Sequence, residues 1–189
     1  MKNSLKHIAF LVCICISCNS VHDNVIIDAS NPNIKLNNGV VYYNNIPFSG
    51  DLITHYQNKL LKSDIEYISG KKHGFEKHWN IDSDLVIERN YLKGKKTGIH
   101  RAWWNNGNLK FEYHFNEKGE YNGSVKEWYE TGQLFKAFNY ENGKEKGSQK
   151  LWYEDGKIKA NYEVVNSERF GLIGLKKCYQ VTVGSDEIK

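Results

Sequence analysis

Gly123-Ser124-Val125-Lys126-Glu127-Trp128-Tyr129-Glu130-Thr131-Gly132-Gln133-Leu134-Phe135-Lys136-Ala137-Phe138-Asn139-Tyr140 is the stretch that decides the fold. An aromatic run closes on Trp128-Tyr129, a glycine follows three residues on, and a second apolar run starts at Leu134. The matching run further upstream, Leu109-Lys110-Phe111-Glu112-Tyr113-His114-Phe115, alternates strictly between apolar and polar side chains. Period two is the mark of a strand with one buried face. Between paired runs lie Asn106-Gly107, Thr131-Gly132 and Asp155-Gly156. Asn-Gly and Asp-Gly suit a type I′ turn, which needs positive φ at both central residues. Asn142-Gly143 supplies the following turn. Each unit therefore reads strand, turn, strand, turn.

Working outward, the unit repeats. Gly50, Gly74, Gly98, Gly123, Gly147 and Gly171 are separated by 24, 24, 25, 24 and 24 residues. Internal periodicity on this scale points to a repeat architecture. Five residues after each unit glycine come His55, Trp79, Trp103, Trp128 and Trp152. Six after it come Tyr56, Asn80, Trp104, Tyr129 and Tyr153, and eleven after it Leu61, Leu85, Leu109, Leu134 and Ile158. The longer gap is local, because Gly119 sits one place late in its turn. No segment has a helical period.

A lone hairpin is marginal in water, whereas stacked hairpins share an apolar face. The expected fold is all-β: a single-layer, elongated antiparallel sheet of tandem β-hairpins, solenoid-like. The division is a signal peptide over 1–17, a lipidated Cys and flexible tether over 18–35, and a capping half-repeat over 36–49. Five repeats then fill 50–73, 74–97, 98–122, 123–146 and 147–170. A capping strand and tail occupy 172–189, with Tyr179 to Val183 as the closing strand.

Composition agrees. Twelve Tyr, eight Phe and five Trp suit a pleated half-buried surface, and 16 Gly supply turns. A disordered chain would lack these aromatics. The formal charge is +4, and a leader carrying Lys2 and Lys6 takes two of those charges with it. Lys and Glu alternate without clustering, so no nucleic-acid patch is expected.

The N-terminus reads as an address. Lys2, Lys6 and His7 precede an apolar stretch from Ile8 to Ile16, too short to span a membrane as a mature helix. Ser17-Cys18 then resembles the lipobox of bacterial lipoproteins, with Cys15 where Leu is usual. That resemblance implies a lipid on Cys18 and a cell-envelope location, anchored to the membrane on its periplasmic or surface side. Three of the four Cys lie in this segment, which leaves Cys178 alone in the folded part, with no disulfide partner.

At Gly123, Trp128, Tyr129, Gly132 and Leu134 the chain resembles the MORN repeat in its longer bacterial variant, Gly-x4-Trp-Tyr-x-x-Gly-x-Leu. Gly147, Trp152, Tyr153, Gly156 and Ile158 repeat the pattern, as do Gly98, Trp103, Trp104, Gly107 and Leu109. The first two units depart from it: Lys59 and Ser83 occupy the turn-glycine position and His55 replaces Trp. The resemblance covers about residues 40 to 171 and implies a fold more than a function. Its eukaryotic members are linked to scaffolding and membrane association. Some bacterial relatives are labelled antitoxins, a role that suits an exported chain poorly.

Chemistry is sparse. The His residues share no offset and no metal site is expected. Glu127, Glu130, Glu154, Asp155 and Glu163 read as surface carboxylates, with Glu130 and Glu154 flanking turns. No nucleophile elbow or phosphate loop is present, so neither catalysis nor a cofactor is expected. Trp79, Trp103, Trp128 and Trp152, with Leu109, Leu134 and Ile158, form the expected structural spine. Trp104, Tyr129 and Tyr153 fall on the opposite face and form the candidate binding strip. The favoured partner is a protein. A glycan or envelope polymer, or a toxin neutralised by an immunity-type protein, are the alternatives.

Overall fold

A computed structural model describes residues 25–174. It has strands and turns and no helix. The strands are β1 (Ile26–Asp28), β2 (Ile34–Asn37), β3 (Val40–Tyr43), β4 (Ile46–Pro47), β5 (Gly50–His55), β6 (Leu61–Ile68), β7 (Lys71–Trp79) and β8 (Leu85–Leu92). They continue as β9 (Lys95–Trp103), β10 (Leu109–Phe115), β11 (Tyr121–Trp128), β12 (Leu134–Glu141), β13 (Lys144–Glu145), β14 (Gly147–Trp152), β15 (Ile158–Val165) and β16 (Glu168–Leu172). From β5 onward, nearly every strand pairs antiparallel with the next in sequence, giving one open sheet of 13 strands. β1 joins its start as a parallel neighbour of β5, and β13 pairs with β12 beside the main path.

Two turn types alternate along the sheet. Lys93-Gly94 and Asn142-Gly143 have positive φ at both residues, as a type I′ turn requires. The Asn106-Gly107, Thr131-Gly132 and Asp155-Gly156 turns differ from expectation: positive φ occurs at the glycine alone. Gly107 N–H donates to the Trp104 carbonyl and Trp104 N–H to that of Asn108. This is a type I turn followed by a left-handed glycine, the G1 bulge. It needs one more residue than the I′ turn. The 25-residue unit has the G1 form at its second turn as well, with Gly119 N–H donating to Asn116, which accounts for the extra residue.

Every unit glycine from Gly74 to Gly147 has positive φ inside or at the start of a strand. The adjacent ladders slip there, between Ile65 and Tyr67, Glu88 and Asn90, and Tyr113 and Phe115. The regular glycine spacing is thus the spacing of a recurring β-bulge, where only glycine has free access to such φ values.

The two faces of the sheet are chemically distinct. On the first, the residues two places after each unit glycine pair directly across the hairpin: Leu52 with Ile65, Glu76 with Arg89, His100 with Tyr113, Val125 with Phe138, Gln149 with Tyr162. All five leading members of these pairs are buried. Phe115, Phe138, Tyr162 and Val164 pack beside them. On the second face, Lys77 opposes Glu88, and Arg101 lies 2.8 Å from Glu112. The Trp column also lies there, Trp103 opposite Leu109 and Trp128 opposite Leu134.

The deepest burial is therefore not where the sequence suggested. Trp79, Trp103, Trp128, Trp152, Leu109 and Leu134 are only half-buried, and Ile158 is 43% exposed. These side chains stand next to the turns, on the face rich in charged pairs, where neighbours cover them from the sides only. His100, by contrast, is 2% exposed.

The N-terminal end is capped. β2, β3 and β4 form a separate small sheet whose Val41 and Phe48 pack with Ile27, Leu52 and Tyr67. Val41 N–H donates to the Gly70 carbonyl and Gly70 N–H to that of Phe48. A Cβ on Gly70 would lie 2.3 Å from Val40 Cγ1, so this turn fits the cap only as glycine. Within the segment expected as a tether over 18–35, β-branched Ile26 and Ile27 pair with β5, and Ile27 is buried. The leader, Cys18, Cys178 and the expected closing strand from Tyr179 to Val183 lie outside the described residues.

Candidate interaction groove

Trp104, Tyr129 and Tyr153 share the first face with the buried column, because alternate strand residues point the same way. Trp104 and Tyr129 are half-buried, and Tyr153 is 36% exposed. The column is a ladder that ties units together. Trp104 Nε1 donates to the Trp128 carbonyl at 3.2 Å, Tyr129 Oη to that of Trp152 at 3.2 Å, and Tyr56 Oη to that of Trp79 at 2.9 Å. Trp104 and Tyr129 are thus tied into the ladder, while Tyr153 is the exposed member of the candidate strip.

Each G1 bulge adds a residue opposite this column. Phe111 pairs with Ala102 and Leu109 with Trp103, leaving Lys110 as the extra residue. Its ammonium sits 4.2 Å from the centre of the Trp104 ring. Lys62 lies over Tyr56 at 5.4 Å and Lys159 over Tyr153 at 5.5 Å in the same relation. In the fourth unit the position is Phe135, whose ring meets Tyr129 edge-on at 5.3 Å.

Between the third and fourth hairpins the face opens into a groove of about 470 Å³. Trp104 with Lys110 makes one wall and Tyr129 with Phe135 the other. Phe111 and Tyr113, stacked at 4.4 Å, lie with Glu127 between them. Glu130 and Glu154 also line it. The volume is that of a small-ligand or side-chain pocket. Burial, together with the charge of Glu127 and a hydrogen bond to it, pushes the Tyr113 hydroxyl well up, so it stays protonated and acts as a donor to that carboxylate. Lys136 pairs with Glu127 at 3.1 Å.

The sequence reading grouped Trp104 and Tyr129 in one strip and read Glu127, Glu130 and Glu154 as surface carboxylates, and it gave Phe111, Tyr113 and Phe135 no place in a site. A signal was there: Lys62, Lys110 and Lys159 recur twelve residues after the unit glycine, and Phe135 breaks that recurrence.

A second cluster lies on the same face in unit two. Glu76, 3% exposed, accepts from Lys72 at 2.7 Å and His78 at 2.8 Å, with Arg89 at 3.5 Å. Desolvation opposes its charge, but the hydrogen bonds from His78 and Lys72 and the Lys72 charge outweigh it and hold the carboxyl at about 2. Desolvation and the Glu76 charge push neighbouring Tyr91 up to about 12. Desolvation lowers His100 despite its hydrogen bond to the Asn90 carbonyl. These groups neutralise one another within the sheet. No group of three or more His, Cys, Asp or Glu placed to hold a metal ion occurs among the described residues.

No protein-family model matches the chain. No curated protein matches it either. Among solved structures, a mutant of TarM from S. aureus, crystallised with Fondaparinux, alpha-GlcNAc-glycerol and UDP, aligns with 61% of this chain at 13% identity and a TM-score of 0.30. The aligned part spans 21% of that chain, and a likeness this low carries no argument.

Proposed function

We propose that the protein is a non-catalytic interaction module of the bacterial cell envelope, of the MORN-repeat kind, anchored through a lipid on Cys18. In this reading the repeat sheet captures a protein partner in the groove between its third and fourth hairpins. One observation carries it: a groove walled by Trp104, Tyr129 and Phe135 opens on this face between the third and fourth hairpins. Aromatic residues in a partly desolvated groove are the usual anchors of protein interfaces. The repeat spacing and the Gly-Trp-Tyr-Gly-Leu pattern support the family reading, and Ser17-Cys18 after an apolar run supports the anchor.

The test is in-cell photocrosslinking of the full-length chain. Benzoylphenylalanine replaces Glu130 at the groove or, as a control, Glu88 on the charged face. A discrete protein adduct from position 130 and none from position 88 is expected. Equal labelling at both, or none at either, defeats the proposal. In parallel, Cys18→Ala abolishes incorporation of labelled palmitate; a variant that still takes it up rules out the anchor.

A further inference from the structure

Three units put an aromatic ring six residues after the unit glycine and a lysine twelve residues after it, and in each the ammonium covers the ring: Lys62 on Tyr56, Lys110 on Trp104, Lys159 on Tyr153. Unit two has neither, with Asn80 and Val86 at these places. Unit four alone keeps the ring, Tyr129, and lacks the cation, because Phe135 replaces lysine.

Negative charge gathers at that same unit. Four residues after the unit glycine stand Thr54, His78, Ala102 and Leu151 in the other units, but Glu127 in this one. Seven residues after it the first three units carry Gln57, Ile81 and Asn105, and the last two carry Glu130 and Glu154. All three carboxylates line the groove that Tyr129 and Phe135 wall. Lys136 pairs with Glu127, whereas Glu130 and Glu154 form no ion pair among the described residues. The groove thus combines a half-exposed aromatic ring that has no cation over it with two carboxylates that have no ion pair, while its own lysine, Lys110, is seated on Trp104. A cation over an aromatic face gains most where water is partly excluded, and adjacent carboxylates add charge-assisted hydrogen bonds.

We infer that this groove accepts an arginine or lysine side chain from an extended segment of the partner protein, seated against Tyr129 and held by Glu130 and Glu154, with Glu127 already paired to Lys136. The inference rests on the groove being the docking site, as proposed above. The external cation supplies to Tyr129 the charge that a lysine supplies to the ring in three other units. A volume of about 470 Å³ suits one or two side chains more than a run of sugar rings.

The probe is an acetylated, amidated Gly-Arg-Gly peptide titrated into the full-length chain in detergent. Indole N–H resonances are followed, with the Trp104 signal assigned through Trp104→Phe. Saturable shifts of Trp104 at millimolar peptide are expected. Gly-Leu-Gly, Gly-Glu-Gly and a soluble oligosaccharide should give none. Glu130→Gln with Glu154→Gln, both exposed and unpaired, should weaken binding about fivefold, and added salt should weaken it further. Phe135→Lys should restore the internal cation and abolish binding without loss of fold. Equal response to Gly-Leu-Gly or to the oligosaccharide overturns the basic-side-chain assignment. So does binding unchanged in the carboxylate variants and in Phe135→Lys. No response to any peptide overturns it too, and the crosslink from position 130 then decides separately whether the docking reading survives.

Discussion

Ser83→Gly and Lys59→Gly should each stabilise the protein. Both residues occupy the G1-bulge position held by glycine in every later unit, at φ of 68° and 67°. A side chain bearing Cβ pays about 1–2 kcal/mol in the left-handed region. Against this, glycine adds unfolded-state entropy worth about 0.4–1 kcal/mol. Both residues are exposed, and neither side chain makes a hydrogen bond or ion pair, so little else changes. The net gain is about 0.5–1 kcal/mol each, or about 1–2 kcal/mol for the pair, which at this chain length raises Tm by roughly 2–8 °C. Gly107→Ala is the mirror experiment. It has φ of 84° and nothing within 4 Å of the added Cβ, so backbone strain is the only penalty. It should lower stability by about 0.5–1 kcal/mol. The assay is thermal and urea unfolding followed by tryptophan fluorescence. Neutral or destabilised Ser83→Gly and Lys59→Gly, beside a harmless Gly107→Ala, would show that the turn conformation is not what selects glycine.

Acid should destabilise the fold in two stages. His100 is lowered from its ordinary value, so its contribution is complete above about 6.5 and is lost as pH falls through its lower folded value. Glu76 is held at about 2 against an ordinary 4.5, so its contribution is complete above 4.5 and disappears as pH approaches 2, at a cost of about 3 kcal/mol. Melting temperature against pH should show both steps, and Glu76→Gln should erase the lower one; a flat profile down to pH 3 contradicts the pairing. Gln149→Leu is expected to cost about 2–4 kcal/mol in urea unfolding, because Gln149 is fully buried and bonds both the N–H and the carbonyl of Asn139 across the bulge. A loss under 1 kcal/mol would mean that water takes over those bonds.

The order of strands was legible because it is written locally. Glycine at the bulge, glycine at the turn and alternation between them need no knowledge of distant contacts. Turn type was misread because Asn-Gly serves both kinds of turn, and only the number of residues between paired positions separates them. The buried column was illegible for a different reason. Leu52, Glu76, His100, Val125 and Gln149 range from aliphatic to charged, and beside the last four a glycine of positive φ interrupts the strand, where each side chain meets the enclosure in its own way. Gln149 bonds Asn139, His100 bonds the Asn90 carbonyl, and Glu76 gathers Lys72 and His78. The tryptophans drew attention because large aromatics usually lie inside. Their position beside the turns, on the charged face, leaves them half-covered.

The G1 bulge also explains how the proposed interaction site could arise in one repeat without disturbing the others. It inserts one residue per hairpin that has no cross-strand partner, such as Lys110 between Leu109 and Phe111. That residue carries no ladder pairing, so its identity is free to change, yet it lies against the ring column of the first face. Lysine there closes the site internally, as over Tyr56, Trp104 and Tyr153. Phenylalanine at 135 leaves Tyr129 without a cation while preserving an apolar wall. A recurring scaffold of bulges and turns would therefore separate stability from the proposed recognition: the bulge glycines and the buried column hold the sheet, while the inserted residue, with the acids four and seven places after the unit glycine, would set what the groove admits.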